Sequence, residues 1–235
     1  MTANTSGVAL TGNSLLRDST AALASQLDSG QLKKQDLAHF LQTASQSSEL
    51  VERNLQRAAE LISNFKQVSV DRSSGERRIF NLRDFLDEVE QSLATLWRER
   101  PVQFIVDCPA EIQLDTYPGA LSQVITILAQ NSLLHGFAAE GGGEMRLCAR
   151  ALDMEQVEIV FADNGAGIAT EHLEKVFEPF FTTKRAHGGT GLGLHILFNL
   201  VSERLGGTVT VESGHEGSGC AFILILPCVA PQPEA

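Results

Sequence analysis

The run DNGAGI, with Asp163, Gly165 and Gly167, follows directly on the apolar segment VEIVFA. An acid and two glycines at the end of a buried strand can serve two purposes. Asp-Asn-Gly forms a turn unaided, because Gly accepts positive φ and Asp or Asn bonds its own backbone. The same residues also let a flat polar ligand come close to backbone there. Three further runs carry chemistry. In QVITILAQNSLLHGF, Asn131 and His135 stand four apart and share one helical face. VFEPFFTTK ends in Thr183 and Lys184, and GGTGLGLHI sets Gly189, Thr190, Gly191, Leu192 and Gly193 at the head of an expected helix. Glycines there let backbone amides approach anionic oxygens, to which the helix presents its positive end. A Gly-x-Gly pair is common in turns and helix starts, but four such runs in one order form a constellation.

These runs need elements to hold them. RRIFNL reads as a strand leading into a helix capped near Asn81, with Leu82, Phe85, Leu86, Val89, Leu93 and Leu96 on its buried face. VQFIVDC is a strand, and a helix spans about Pro118 to His135. Gly141-Gly142-Gly143 breaks the chain before two paired strands, EMRLCARAL and QVEIVFAD. A further helix begins near Gly191, and VTVES and CAFILILP close the sheet. Helices interleaved with a mixed, mostly antiparallel sheet give a two-layer α/β sandwich over residues 76–228.

Residues 1–70 follow a different periodicity. Leu37, Phe40 or Leu41, Ala44, Ser48, Val51, Leu55, Ala58, Ile62 and Phe65 recur in steps of three and four, a long helical stripe. A weaker stripe runs through Val8, Leu15, Leu16, Ala22, Leu23 and Leu27, and Asp28-Ser29-Gly30 separates the two. Two helices and a tight turn make an antiparallel hairpin, and Asp71 to Gly75 forms a polar break after it. The stripe can pack on the second domain of the same chain, or two hairpins can pair into a four-helix bundle; dimerisation is the more economical arrangement. The fold class is thus α+β, a helical hairpin followed by the sandwich.

Bulk properties narrow the function. Of 235 residues, 43% are hydrophobic, which suits a globular protein with a core. The longest apolar run, AFILILP, is far short of a bilayer span, and residues 1–10 lack a signal-peptide pattern, so the chain is expected to be cytoplasmic and without membrane contact. It can equally be the cytosolic part of a longer, membrane-anchored sensor. Cys108, Cys148, Cys220 and Cys228 show no paired spacing of the zinc or redox kind. Of 18 basic and 29 acidic residues, six of each fall within residues 1–70, so the net charge of -11 belongs to the remainder. An acidic body of this kind excludes a nucleic-acid partner, though not a single nucleotide neutralised by amides and a metal.

The four runs together resemble the ATP-binding catalytic domain of sensor histidine kinases, in the superfamily shared with DNA gyrase. QNSLLHGF is similar to that family's asparagine box, DNGAGI to its first glycine box, FEPFFTTK to its phenylalanine box and GGTGLGL to its second glycine box. The match runs from about Phe80 to Pro227. The hairpin resembles the family's dimerisation and phosphotransfer hairpin, chiefly through NLQRAAELISNFKQV. The resemblance implies ATP and Mg2+ as cofactors. It implies that Asp163 accepts from the adenine amine, that Gly165, Gly167 and Ile168 line the purine, and that Asn131 gives its amide oxygen to Mg2+. Gly189, Thr190, Gly191, Leu192 and Gly193 would cradle the triphosphate, and His135, Thr183 and Lys184 would approach it, the last two from a lid over residues 182–189. Partners implied are a second copy of the chain and the receiver domain of a response regulator.

Each residue also has a structural reading: Asn131 as a local cap, His135 as a cation at a helix C-terminus, Phe177, Phe180 and Phe181 as packing. The sequence departs from the family in two places. No His-Glu run of the phosphoacceptor type occurs, and aligning Asn4 to Gly7 with the end of such a run puts Met1 near the acceptor position and Thr2 near the acid. His39, the one histidine in the hairpin, is followed by Phe40 and reads as an ordinary histidine. Ile127 stands one turn before Asn131, where the family carries a polar residue. Three functions follow as expectations: a two-component histidine kinase core, a non-catalytic ATP-responsive dimeric signalling module, and a serine kinase of the anti-sigma-factor type, against which the hairpin counts.

Overall fold

The computed structural model describes residues 3–30, 32–49, 51, 76–138, 141–184, 189–214 and 219–232. The chain divides into two units, Met1–Lys66 with Ala186–Thr190 and Gln67–Arg185 with Gly191–Ala235; the first, helical in its described residues, is the helical unit and the second the α/β unit. In the helical unit, α1 spans Ala3–Asp28 and α2 residues 34–49. The break between them is the expected one: Gly30 has φ 67 and its amide donates to Leu27 O at 3.1 Å, a left-handed helix stop. The stripe residues Leu27, Leu37 and Leu41 are 63%, 41% and 59% exposed. The stripe from Leu55 to Phe65 and the break at 71–75 lie outside the described residues. Among the described residues no helix is long and apolar enough to cross a membrane.

In the α/β unit, β1 (Arg78–Asn81) pairs antiparallel with β3 (Gln113–Thr116). A five-stranded mixed sheet has the order β2-β4-β5-β7-β6, with β2 Val102–Asp107, β4 Gly143–Ala151, β5 Gln156–Asp163, β6 Thr208–Ser213 and β7 Cys220–Pro227. Only the β2–β4 pair is parallel. Three helices supply apolar side chains to its core: α3 (Leu82–Leu93), α4 (Pro118–Asn131) and, after the one-turn α5 (Thr170–Leu173), α6 (Gly193–Asn199), the last continued by a wider turn over Leu200–Arg204. Asn81 caps α3 as expected, its side chain accepting from the Asp84 amide at 3.1 Å. Leu82, Phe85, Leu86, Val89 and Leu93 are buried, but Leu96 is 42% exposed and Trp97 is buried instead. The chain tightens at Ala94–Trp97 to about three residues per turn, which advances the phase and exchanges the two side chains.

The core gathers Leu86 from α3, Leu121, Ile125 and Leu128 from α4, Met145 and Leu147 from β4, Ile159 and Phe161 from β5, Leu197 from α6 and Leu224 from β7. Strand side chains alternate in direction, so on β5 the buried residues are Val157, Ile159, Phe161 and Asp163. An acid therefore falls on the apolar face at the strand's last position. The sheet register carries the sequence to its site.

Outside the sheet, the Arg77 guanidinium holds the segment after β7. Its Nε and Nη2 donate to the Asp115 carboxylate at 2.8 and 2.6 Å, and its Nη1 donates to Ala230 O at 2.6 Å. The Arg77 hydrogen bond holds the Asp115 carboxyl below its usual range.

Candidate functional site

The Asp163 carboxylate is 9% exposed and accepts from three neighbours. The Gly165 amide donates to Oδ1 at 2.9 Å, Ser132 Oγ donates to Oδ2 at 2.7 Å, and Cys220 Sγ lies 3.3 Å from Oδ2 as a thiol donor. Cys220 is the register partner of Asp163 on β7, and Ser132 opens the turn after α4. Burial, together with the adjoining Asp163 carboxylate, pushes the Cys220 thiol far above its ordinary range, so it remains a proton donor.

Above the carboxylate, two segments of backbone meet without side chains between them. A Cβ on Gly165 would sit 2.6 Å from Gly136 Cα, C and O, and the Ala166 amide donates to Gly136 O at 2.8 Å. A Cβ on Gly136 would lie 3.4 Å from Asp163 Oδ1. Gly136 ends a widened helical turn, Ser132–Gly136, that follows α4; such turns frequently mark functional sites. Gly167 and Ile168 adjoin Ser213 on β6, whose Oγ accepts from the Ile168 amide at 2.8 Å and donates to Gly219 O at 3.0 Å.

Asn131 is the last residue of α4, and its carboxamide Nδ2 is buried with no hydrogen-bond partner among the described residues. Its Oδ1 would be 3.9 Å from a Cβ on Gly193, the first residue of α6, with Ile127 Cγ2 at 3.4 Å from the same point. The end of α4 and the start of α6 therefore face each other, with a polar, under-satisfied group between them. His135, four residues on, has its pKa lowered by burial and then by the Lys184 charge, which keeps the imidazole neutral near pH 7. The Lys184 ammonium donates to Leu134 O, and the Lys184 amide donates to Thr182 Oγ1 at 3.1 Å. Thr183 beside it is exposed.

The phenylalanine-rich run is locked to the second glycine run. Gly191 has φ +68, and a Cβ there would be 2.5 Å from Phe180 C and Phe181 O. The Phe180 amide donates to Gly191 O at 2.8 Å, and Phe180 itself has φ 66, the left-handed region that a non-glycine residue seldom occupies. Phe177 packs on Phe198 and Phe222, with ring centroids 5.6 and 6.5 Å apart, and its carbonyl meets His195 Nδ1 at 3.1 Å. Phe181 meets His172 edge-on at 5.3 Å. Leu192 is the N-cap of α6. Gly189 and Thr190 fall outside the α/β unit as the chain divides, and residues 185–188 of the lid lie outside the described residues.

Asn131, His135, Asp163, Gly165, Gly167, Ile168, Lys184, Gly191, Leu192 and Gly193 all belong to one unit, and the contacts given above link the four runs within it. Sequence reasoning missed Ser132, Ser213 and Cys220. Ser132 carried a weak signal, a hydroxyl one position after Asn131. For Cys220 and Ser213 the signal lies in the β5–β7 and β6–β7 register, which a single sequence does not give.

Residues 116–230 match the family model of the histidine kinase-, DNA gyrase B-, and HSP90-like ATPase. The two-component sensor PprA of Pseudomonas aeruginosa is 37% identical over 140 residues, covering 54% of this chain and 14% of that protein. The sensor histidine kinase ZraS of Salmonella typhimurium is 38% identical over 123 residues, covering 52% of this chain and 24% of that protein. The chain thus spans a quarter or less of the length of either relative. The nucleotide-free catalytic domain of histidine kinase ThkA is 27% identical with a TM-score of 0.57, over 66% of this chain and 97% of that domain. ThkA in complex with the response regulator TrrA shares the fold at 19% identity and a TM-score of 0.63, over 97% of this chain and 60% of that one.

Proposed function

We propose that the chain is a histidine kinase core, a reading supported by the match of residues 116–230 to the histidine kinase-, DNA gyrase B-, and HSP90-like ATPase family and by the likeness to two-component sensors. ATP binds over the floor formed by Asp163, with the adenine amine donating to the carboxylate and the purine lying against Gly165, Gly167 and Ile168. The triphosphate lies at the head of α6, at the amides of Gly191, Leu192 and Gly193. His135, neutral at pH 7, borders the phosphates without adding charge. Lys184 and Thr183 approach them from the lid, which requires the Lys184 ammonium to leave Leu134 O.

Asn131 is the residue to hold Mg2+. Its buried carboxamide has an unpartnered nitrogen and an oxygen directed toward the start of α6, so the group is fixed in place by packing rather than by its own hydrogen bonds. Mg2+ binds through one or two protein oxygens, substrate phosphates and water, so one carboxamide oxygen suffices. When bound, the ion neutralises phosphate charge.

The helical unit is proposed to pair with a second copy. The single-chain exposure of Leu27, Leu37 and Leu41 favours that arrangement, because a helix buries its apolar stripe where a partner is present. The γ-phosphoryl group passes to a histidine and then to an aspartate on a response-regulator receiver domain. One observation favours a second reading, an ATP-responsive dimeric module without chemistry of its own: α1 contains no histidine, and His39 on α2 is exposed and followed by Phe40.

The observation that carries the nucleotide reading is a carboxylate buried at the end of an apolar face, beneath two backbones that meet without side chains. Incubation of the chain with γ-labelled ATP, alone and mixed with a histidine-bearing hairpin from a sensor kinase, tests the chemistry. Acid-labile, base-stable label on either chain is expected for a kinase core. ATP binding without any label in either mixture would leave the module reading in its place, and acid-stable label would point to a serine kinase.

A further inference from the structure

Asp163 holds more donors than a base-reading carboxylate requires. A carboxylate oxygen offers about two acceptor sites. Oδ2 fills both, with Ser132 Oγ at 2.7 Å and Cys220 Sγ at 3.3 Å, whereas among the described residues Oδ1 takes only the Gly165 amide at 2.9 Å. Ser132 has an alternative acceptor, Leu128 O, at 3.3 Å. The shorter, charge-assisted contact to Asp163 wins, since hydrogen bonds to an ionised acceptor are roughly twice as strong. The open site on Oδ1 is the one a ligand can use, and the missing side chain at Gly136, whose Cβ would stand 3.4 Å from Oδ1, keeps its approach clear.

We infer that Ser132 and Cys220 are positioning residues for base selection: by saturating Oδ2 they hold the Asp163 carboxylate in one orientation, with Oδ1 presented to the exocyclic amine of a 6-aminopurine. The pair makes the site selective for a donor at that position and against a 6-oxopurine, whose carbonyl oxygen would face a second acceptor. This deepens the nucleotide reading above and rests on it. Neither residue touches the base. Each acts through the aspartate, so its loss should blunt discrimination rather than abolish binding.

The test uses the full chain and two nucleotides, ATP and ITP, with affinities from calorimetry and melting temperatures recorded for every variant. The parent chain should bind ATP well in preference to ITP. Ser132→Ala should weaken ATP by about tenfold, the loss of one hydrogen bond to a charged acceptor, and leave ITP nearly unchanged, so the ATP:ITP ratio narrows. Cys220→Ala should narrow it less, because a thiol is the weaker donor, and Cys220→Ser should restore it, because a hydroxyl still donates. An unchanged ratio in both Ser132→Ala and Cys220→Ala would overturn the inference. Should Ser132→Ala melt below the assay temperature, the Cys220→Ala and Cys220→Ser pair decides alone. A parent chain that binds neither nucleotide would remove the nucleotide reading itself, whereas one that binds both equally would remove the adenine contact of Asp163 and overturn the inference with it.

Discussion

The approach of residue 165 to residue 136 is the tightest joint in the site, and Gly165→Ala tests whether it exists in solution. The added methyl would stand 2.6 Å from three backbone atoms of Gly136. Carbon atoms pack at about 3.5–4.0 Å, so the two segments must part by roughly 1 Å. The Ala166 amide donates to Gly136 O at 2.8 Å across this joint, and a displacement of that size stretches it past the length of a hydrogen bond. Overpacking costs about 1–3 kcal/mol, and the weakened bond adds about 1 kcal/mol. The sum, about 2–4 kcal/mol, corresponds to a fall of roughly 5–15 °C in Tm for a chain of this size. Far-UV circular dichroism melts with and without ATP measure it, and the stabilisation by ATP should shrink along with the Tm. Gly193→Ala is the control, because a Cβ there meets only Ile127 Cγ2 at 3.4 Å and Asn131 Oδ1 at 3.9 Å. It should melt at or slightly above the parent, since alanine favours a helix by up to about 1 kcal/mol over glycine. A Gly165→Ala chain that melts with the parent would refute the close approach.

Three further outcomes follow from the same geometry. Gly191→Ala should lower the Tm by more than Phe180→Ala, since at 191 a left-handed φ of +68 combines with a Cβ contact of 2.5 Å to backbone. Phe180→Gly should relieve about 1–2 kcal/mol of left-handed strain, offset by the added freedom of glycine when unfolded; denaturant unfolding compares the three. His135 should titrate below its ordinary 6.5 by NMR, and Lys184→Met should raise its pKa while leaving it below 6.5, because burial is the larger cause. With the folded value depressed, the unfolded chain takes the proton first, so His135 costs stability as the pH falls through 6.5 toward that lower value. His135→Asn should flatten that part of the pH–stability curve. The Asp115 carboxyl is lowered by Arg77 from an ordinary 3.8, so its contribution is present above that pH and lost below it. Melts of Asp115→Asn should therefore fall short of the parent at neutral pH and converge with it in acid.

Much of this site was legible from residue order because the four runs carry their own local grammar. DNGAGI follows a strand whose alternation places Asp163 on the buried face, and Asn131 ends a helix whose apolar spacing fixed its direction. The misses have physical causes. QLDT at Gln113–Thr116 is a short polar strand that exists through pairing with Arg78–Asn81 and has no periodicity of its own. Leu96 and Trp97 exchanged places because the last turn of α3 tightens; the helix expected to reach His135 does reach it, but through a widened turn after Asn131 that no spacing announces. Ser132 and Cys220 converge on one carboxylate from elements far apart in sequence, and only the packing of helix on sheet brings them there.

In the proposed complex the buried acid at the end of β5 reads the base of ATP. Calorimetric titration of the full chain and of Asp163→Asn with ATP tests it most directly, with circular dichroism to verify that both are folded. Substituting an amide turns a charged acceptor partly into a donor facing other donors, a loss of about 3 kcal/mol or more, so ATP affinity should fall by roughly a hundredfold. Equal affinity in a folded Asp163→Asn chain would contradict the account.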